Sequence, residues 1–217
     1  MTRHVLGVGV LSVPERRPRL LKLLEKIGVP ETYVALDMEH QGHVINWWQA
    51  VAIACASSPF STRKPTHVLI IEDDAEPCPD FMKAVNLLID IYPDRVISFF
   101  TRSPEVATSP EGSLQRVHDV PTDLAVVYPV KWLDELKIDY DTRQMDFARN
   151  KRRWGYGADE MRAELRPDKE VWATIPSLVE HGCPRESTLA HFYPTNIAKR
   201  YIGEKSALSI DWKAGKS

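Results

Sequence analysis

His67-Val68-Leu69-Ile70-Ile71-Glu72-Asp73-Asp74 is the stretch that decides how this chain reads. Val68 to Ile71 is an unbroken β-branched and aliphatic run, suited to a strand buried on both faces as in parallel sheets. It ends in three consecutive carboxylates, Glu72, Asp73 and Asp74. The carboxyl end of such a strand is where open α/β sheets bind ligands. Adjacent acids repel one another unless a cation joins them, and hard oxygen donors favour Mg²⁺ or Mn²⁺, ions that accompany phosphorylated substrates. Side chains alternate along a strand, so Glu72 and Asp74 are expected on one face with Asp73 turned elsewhere. The competing reading is a solvated acidic turn before the next helix.

Strand and helix patterns alternate on both sides of this run. Val5 to Leu11 is an apolar strand with glycines in it, followed by the turn Ser12-Val13-Pro14-Glu15-Arg16-Arg17. A helix follows with Leu20, Leu21, Leu24 and Ile27 on one face, and Gly28 stops it. Thr32 to Leu36 is a second strand ending at Asp37. A polar turn at Gly42 leads into a helix with Val44, Trp47, Trp48, Val51 and Cys55 at helical spacing. Beyond the acidic cluster, Pro77 and Pro79 mark the entry to a helix with Phe81, Val85 and Leu88 inside, and Arg95 to Phe100 is a fourth strand. This order predicts an α/β fold with a parallel sheet covered by helices. The second half is less regular. Residues 102–121 read as a long loop, Leu124 to Tyr128 as a short strand, and Pro129 to Leu133 as the start of a brief helix. Residues 141–166 read as polar helix, and Val171 to Ile175 as a last strand.

The 217 residues suit a single domain, with no linker to divide them. A hydrophobic fraction of 43% and a charged fraction of 27% are those of an ordinary globular protein, and a formal charge of −2 announces neither nucleic acid nor membrane. No run approaches the roughly 20 apolar residues of a membrane span. Cys55, Cys78 and Cys183 form no CxxC pair and no disulfide framework, which points to a reducing compartment. Neither a GxGxxG fingerprint nor a P-loop is present, which counts against dinucleotide enzymes and P-loop kinases.

Other residues join the acidic cluster as candidates. His181, between Glu180 and Gly182 after an apolar strand, is placed as an imidazole ligand or as an ordinary loop histidine. In Trp154-Gly155-Tyr156-Gly157-Ala158-Asp159-Glu160, two acids fall at a helix start. There they complement the helix dipole or act as general base toward a hydroxyl. Arg16, Arg17 and Arg19 lie after the first strand, where arginine suits phosphate, or they form a solvated helix face. Asp37 is placed to accept hydrogen bonds from a base or ribose.

Taken together these motifs resemble the GT-A class of nucleotide-sugar-dependent glycosyltransferases, especially its small inverting members of the family 2 type. The resemblance runs over roughly residues 4–182 and is one of ordered motifs. It implies a GT-A, Rossmann-like sheet, mixed but mostly parallel and flanked by helices, with residues 1–100 binding the nucleotide-sugar and 101–217 carrying acceptor binding and catalysis. It implies Ser12, Pro14, Arg16, Asp37, Glu72 and Asp73 as donor-binding residues. Asp74 and His181 become ligands of Mn²⁺ or Mg²⁺, and Asp159 or Glu160 the base. The donor implied is a nucleoside diphosphate sugar, a UDP-sugar first among them, with inversion at the anomeric carbon. The metal motif reads Glu-Asp-Asp where the class has Asp-x-Asp, and the base segment has Asp before Glu.

Acceptor recognition is expected from residues 101–157, where Trp132, Tyr140, Phe147, Trp154 and Tyr156 interleave with Arg149, Lys151, Arg152 and Arg153. Basic groups neutralise phosphates and aromatic faces stack on bases or sugars. The compact chain also resembles small bacteriophage glycosyltransferases, some of which modify bases in phage DNA. DNA carrying a hydroxymethylated base, contacted through residues 140–157 in a host cytoplasm, is thus one expected acceptor, and the base would be extruded for transfer. A saccharide or lipopolysaccharide acceptor is the other. A nucleotidyltransferase and a non-catalytic nucleotide-sugar-binding module are the remaining readings.

Overall fold

The computed structural model describes residues 4–117, 124–149, 157–166, 170–182 and 197–212, with the backbone alone over 144–149. In chain order the elements are β1 (Leu6–Ser12), α1 (Arg17–Ile27), β2 (Val34–Leu36), α2 (His43–Ala56), β3 (His67–Glu72), β4 (Ala75–Pro77) and α3 (Phe81–Ile91). They continue with β5 (Val96–Ser98), β6 (Ser113–Val117), β7 (Ala125–Pro129), α4 (Val130–Arg149), α5 (Ala158–Leu165), β8 (Val171–Ile175) and β9 (Val179–His181).

Seven strands make one mixed sheet in the order β2-β1-β3-β7-β5-β8-β6, and β4 pairs with β9 in a separate ribbon. β1 is parallel to β2 and β3, and β5 is parallel to β8. β7 runs antiparallel between β3 and β5, and β6 is antiparallel to β8 at the edge. The fourth strand of the chain's alternating half is therefore in the sheet but is not a neighbour of the third.

Helices cover both faces. α1 and α3 pack on one face against Leu6, Val8, Val10, Leu69 and Ile71, while α2, α4 and α5 cover Val68, Ile70, Val126 and Tyr128 on the other. β1 shows why its alternate positions are glycine. A Cβ on Gly7 would lie 2.0 Å from the carbonyl oxygen of Ala54, and one on Gly9 2.3 Å from that of Ala50. The backbone of α2 thus rests directly on the strand, in space no side chain can share.

The buried faces differ from the sequence expectation in two helices. In α1 the buried residues are Leu20, Leu23, Leu24 and Ile27, and Leu21 is 43% exposed. The i, i+3, i+4, i+7 stripe selects Leu23 over Leu21. In α2 the buried set is Asn46, Trp47, Ala50, Val51 and Ala54, with Val44, Trp48 and Cys55 only partly covered. Gly28, at φ 68°, caps α1 in the left-handed conformation, its N–H bonding to Leu24 O.

The irregular half holds more structure than its composition suggests. Residues 102–121 are not one loop: Ser113–Val117 is a strand, paired along its length with β8. The brief helix after Pro129 is α4, 20 residues long. The tail packs into the core, with Ala207, Ile210 and Trp212 buried and the Trp212 indole donating to Ala207 O at 3.0 Å. Among the described residues no helix is long and apolar enough to cross a membrane.

Candidate functional site

Three parallel strands end side by side, and each end carries a candidate residue. Ser12 closes β1, Asp37 follows β2, and Glu72 closes β3, with Asp73 and Asp74 in the turn beyond. Backbone bonds hold the ends together: Asp37 N donates to Ser12 O at 3.0 Å, and Asp73 N donates to Leu11 O at 3.0 Å. Asp37 accepts from the amides of Gln41 (2.8 Å) and Gly42 (3.1 Å), so it shapes the turn into α2. Pro14 opens a short 3-10 turn, Pro14–Arg16, which brings Arg16 back over the strand ends.

Arg16 meets both aspartates. Its Nη1 donates to Asp73 Oδ1 at 2.9 Å and to Asp74 Oδ2 at 3.1 Å, and Ser12 Oγ donates to Asp73 Oδ2 at 2.7 Å. Glu72 instead faces His43 on α2, with 3.3 Å between Nε2 and Oε1. These contacts set the acids apart electrostatically. Burial and the neighbouring Glu72 charge push Asp74 up to about 6, against the offsetting charges of His181 and Arg16. Burial also raises Asp73, partly offset by Ser12 and Arg16. Burial works to raise Glu72 as well, but the hydrogen bond from His43, with the charge of Arg16 behind it, holds it below its ordinary value.

The β4–β9 ribbon brings His181 to this cluster. Ala75, next to Asp74, pairs with His181, and Gly182 N donates to Asp74 O at 2.8 Å. His181 Nε2 lies 3.6 Å from Asp74 Oδ2, and both side chains are largely buried. Two observations bear on whether these residues suit a divalent cation. Asp74 Oδ1 and His181 Nδ1 are buried without a hydrogen-bond partner. Burial and the Glu72 charge raise the Asp74 carboxyl, and a cation beside it would lower it again. Asp74 and His181 would supply one oxygen and one imidazole nitrogen to an ion that takes its other ligands from substrate phosphates and water. Among the described residues, no group of three or more His, Cys, Asp or Glu forms a complete metal site.

The helix carrying Asp159 and Glu160 is tied to the same cluster. Ala158 N, at the start of α5, donates to His43 Nδ1 at 3.0 Å. A Cβ on Gly157 would lie 2.2 Å from Asp159 Oδ1, so the Asp159 carboxylate folds back over the start of its own helix, and the same Cβ would be 3.6 Å from His43 Nδ1. Asp159 is partly buried and Glu160 is exposed.

A cavity of about 760 Å³ opens beside the strand ends, lined by Val13, Arg16, Arg19, Asp37, His43 and Asn46 among others. That volume is typical of small-ligand sites. A second cavity of about 480 Å³ lies between α1 and the acids, lined by Arg19, Lys22, Lys26, Asp73, Asp74 and Gly182 among others. The acidic turn thus lines the second cavity, and Arg16, which lines the first, reaches across to it.

Sequence reasoning missed His43 and Asn46. Asn46 stands inside the apolar stretch of α2, is 5% exposed, and donates to Ser12 O at 3.2 Å. A polar residue on a buried helix face was the available signal. His43 has no such signal, because its partners lie 29 and 115 residues along the chain. Of the aromatics expected at the acceptor, Trp132 is a core residue at 8% exposure. Tyr140 packs on Trp48, ring centroids 5.2 Å apart. The side chains of Phe147 and Arg149, and all of Lys151, Arg152, Arg153, Trp154 and Tyr156, lie outside the described residues.

Fold and site together define a single-domain, Rossmann-like α/β protein with an acid cluster at the carboxyl ends of its parallel strands. Comparison with known protein families and with curated proteins finds no match to this chain.

Proposed function

We propose that the chain is a metal-dependent glycosyltransferase of the GT-A kind, moving a sugar from a nucleoside diphosphate sugar to an acceptor hydroxyl with inversion. The observation that carries this reading is the convergence of Ser12, Asp37 and Asp74 on strand ends beside a nucleotide-sized cavity, with His181 and the start of α5 brought to the same cluster. Position at a strand's carboxyl end is the general rule for nucleotide sites in open sheets.

Each residue then has a task. Asp37 and Asn46 border the part of the cavity suited to base and ribose. Asp74 and His181 are the residues that would hold the divalent ion, whose chemistry there is charge neutralisation on the leaving diphosphate. Arg16 fills the place of a cation between Asp73 and Asp74, and it turns to the phosphates when its carboxylate partners are engaged. Asp159 takes the proton from the acceptor hydroxyl as it attacks the anomeric carbon. Its partly buried position over the start of α5 favours it over the exposed Glu160. The acceptor follows from the phage-type resemblance: a hydroxymethylated base in DNA first, a saccharide second.

The test is a panel of nucleotide-sugars with Mn²⁺, followed by nucleoside diphosphate release with and without hydroxymethylcytosine DNA. Release that DNA stimulates and that Asp74→Ala lowers by at least about 100-fold is the expected result. Release indifferent to DNA moves the acceptor to saccharides. Pyrophosphate release from nucleoside triphosphates would replace this reading with nucleotidyl transfer.

A further inference from the structure

We propose that His43 is a positioning residue that sets the distance between the catalytic base and the acid cluster; this rests on the glycosyltransferase reading above. One imidazole joins two elements that share no other feature in the sequence. Its Nδ1 accepts the N–H of Ala158 at 3.0 Å, so the ring's proton sits on Nε2, which faces Glu72 Oε1 at 3.3 Å. The end of β3 and the start of α5 are thereby linked through the first residue of α2.

The link matters because α5 cannot place itself. It has eight residues, well short of the length at which an isolated helix is stable, so tertiary contacts decide where it sits. Its N-cap, Gly157, offers no side chain, and the first N–H of the helix is satisfied by His43, 115 residues away. Asp159 is the next residue. Its Oδ1 lies over Gly157, where an added Cβ would meet it at 2.2 Å and His43 Nδ1 at 3.6 Å. Moving the ring moves the helix start, and with it the carboxylate that must reach the acceptor hydroxyl. A misplacement of about 1 Å in such an arrangement lowers turnover by about 100-fold.

The experiment compares wild type, His43→Ala and His43→Asn in nucleoside diphosphate release from a panel of uridine, guanosine, cytidine, adenosine and thymidine diphosphate sugars with Mn²⁺, with hydroxymethylcytosine DNA and with saccharides as acceptors. UDP affinity is measured separately by calorimetry. In asparagine, Oδ1 takes the place of Nδ1 and keeps the bond to Ala158. The expected result is a kcat loss of about 100-fold in His43→Ala, with UDP affinity within about threefold of wild type, and recovery of about tenfold in His43→Asn. A His43→Ala kcat within threefold of wild type overturns the proposal. So does a loss wholly in UDP affinity, or an asparagine variant no better than alanine. If His43→Ala does not fold, His43→Leu against His43→Asn makes the same comparison. Wild-type silence across the panel overturns the glycosyltransferase reading itself, whereas an active wild type with unaltered variants overturns only the positioning role.

Discussion

The two halves of the molecule build their shares of the candidate site in opposite ways. In the first, β1, β2 and β3 are neighbours in the sheet and successive in the chain, so their parallel ends deliver Ser12, Asp37 and the acids to one place. In the second, β7 is inserted antiparallel between β3 and β5, and β6 closes the far edge. There α5, seated in the core by Met161 and Leu165, reaches the cluster through its bond to His43, and His181 through β9's pairing with β4 and the Gly182 N–H on Asp74 O. The first half's share of the candidate site is a consequence of topology, and the second half's depends on long-range contacts. Damage to the first should therefore cost the fold, and damage to the second should cost turnover alone.

The largest expected effect tests the second half. Asp159→Asn should lower kcat by about 100- to 10,000-fold with unchanged thermal stability, while Glu160→Gln stays within about threefold of wild type. Steady-state rates and melting curves on both variants decide it, and equal losses would remove the distinction drawn between the two acids.

Gly9→Ala tests the first half. The new Cβ would lie 2.3 Å from the Ala50 carbonyl oxygen, so α2 must move off β1. A loss of about 3 kcal/mol is expected in urea unfolding. An unchanged midpoint would show that the contact between α2 and β1 has slack.

The acid cluster lies where the halves meet, and pH probes it. The Asp74 carboxyl is raised to about 6 in the folded chain, whereas an unfolded aspartate titrates near ~4. The folded state therefore binds this proton more tightly, and stability falls as pH rises from about 4 to about 6. Metal-free Asp74→Asn should gain on the order of 2 kcal/mol over wild type above pH 6 and nothing below pH 4. Thermal unfolding in a chelator across this range measures it. A gain independent of pH would place the strain elsewhere.

The smallest effect concerns Arg16. Removing its guanidinium from Asp73 and Asp74 in Arg16→Gln should tighten Mn²⁺ binding without nucleotide by a few-fold, and weaken nucleoside diphosphate binding by about tenfold. Electron paramagnetic resonance of free Mn²⁺ reads the first and calorimetry the second. Weaker Mn²⁺ binding would show that Arg16 does not occupy the cation's place.

Much of this molecule could be read one residue at a time. The run Val68 to Ile71, the glycine alternation of β1 and the leucines of α1 report element type and buried face, because pleat and helix periods are local properties of the chain. Strand-end acids follow from the same reading. Where local pattern was weak, it misled. Ser113–Val117 alternates too briefly to stand out as a strand, and Leu21 lies beside Leu20 in a leucine-rich helix whose strict i, i+3, i+4, i+7 stripe buries Leu23 in its place. Trp132 looked like an acceptor contact, yet it lies in the core beside Tyr128, since an indole fills volume wherever the helix is pressed on the sheet.

The amino-acid order alone thus determines an α/β chain with carboxylates at the end of a buried strand, for reasons of periodicity and burial. Only the folded structure decides that β7 separates β3 from β5, that Arg16 lies between two aspartates, and that His43 reaches Ala158. Those features depend on which distant segments meet, and segments meet according to how the whole sheet buries its two faces, which no local window of sequence contains.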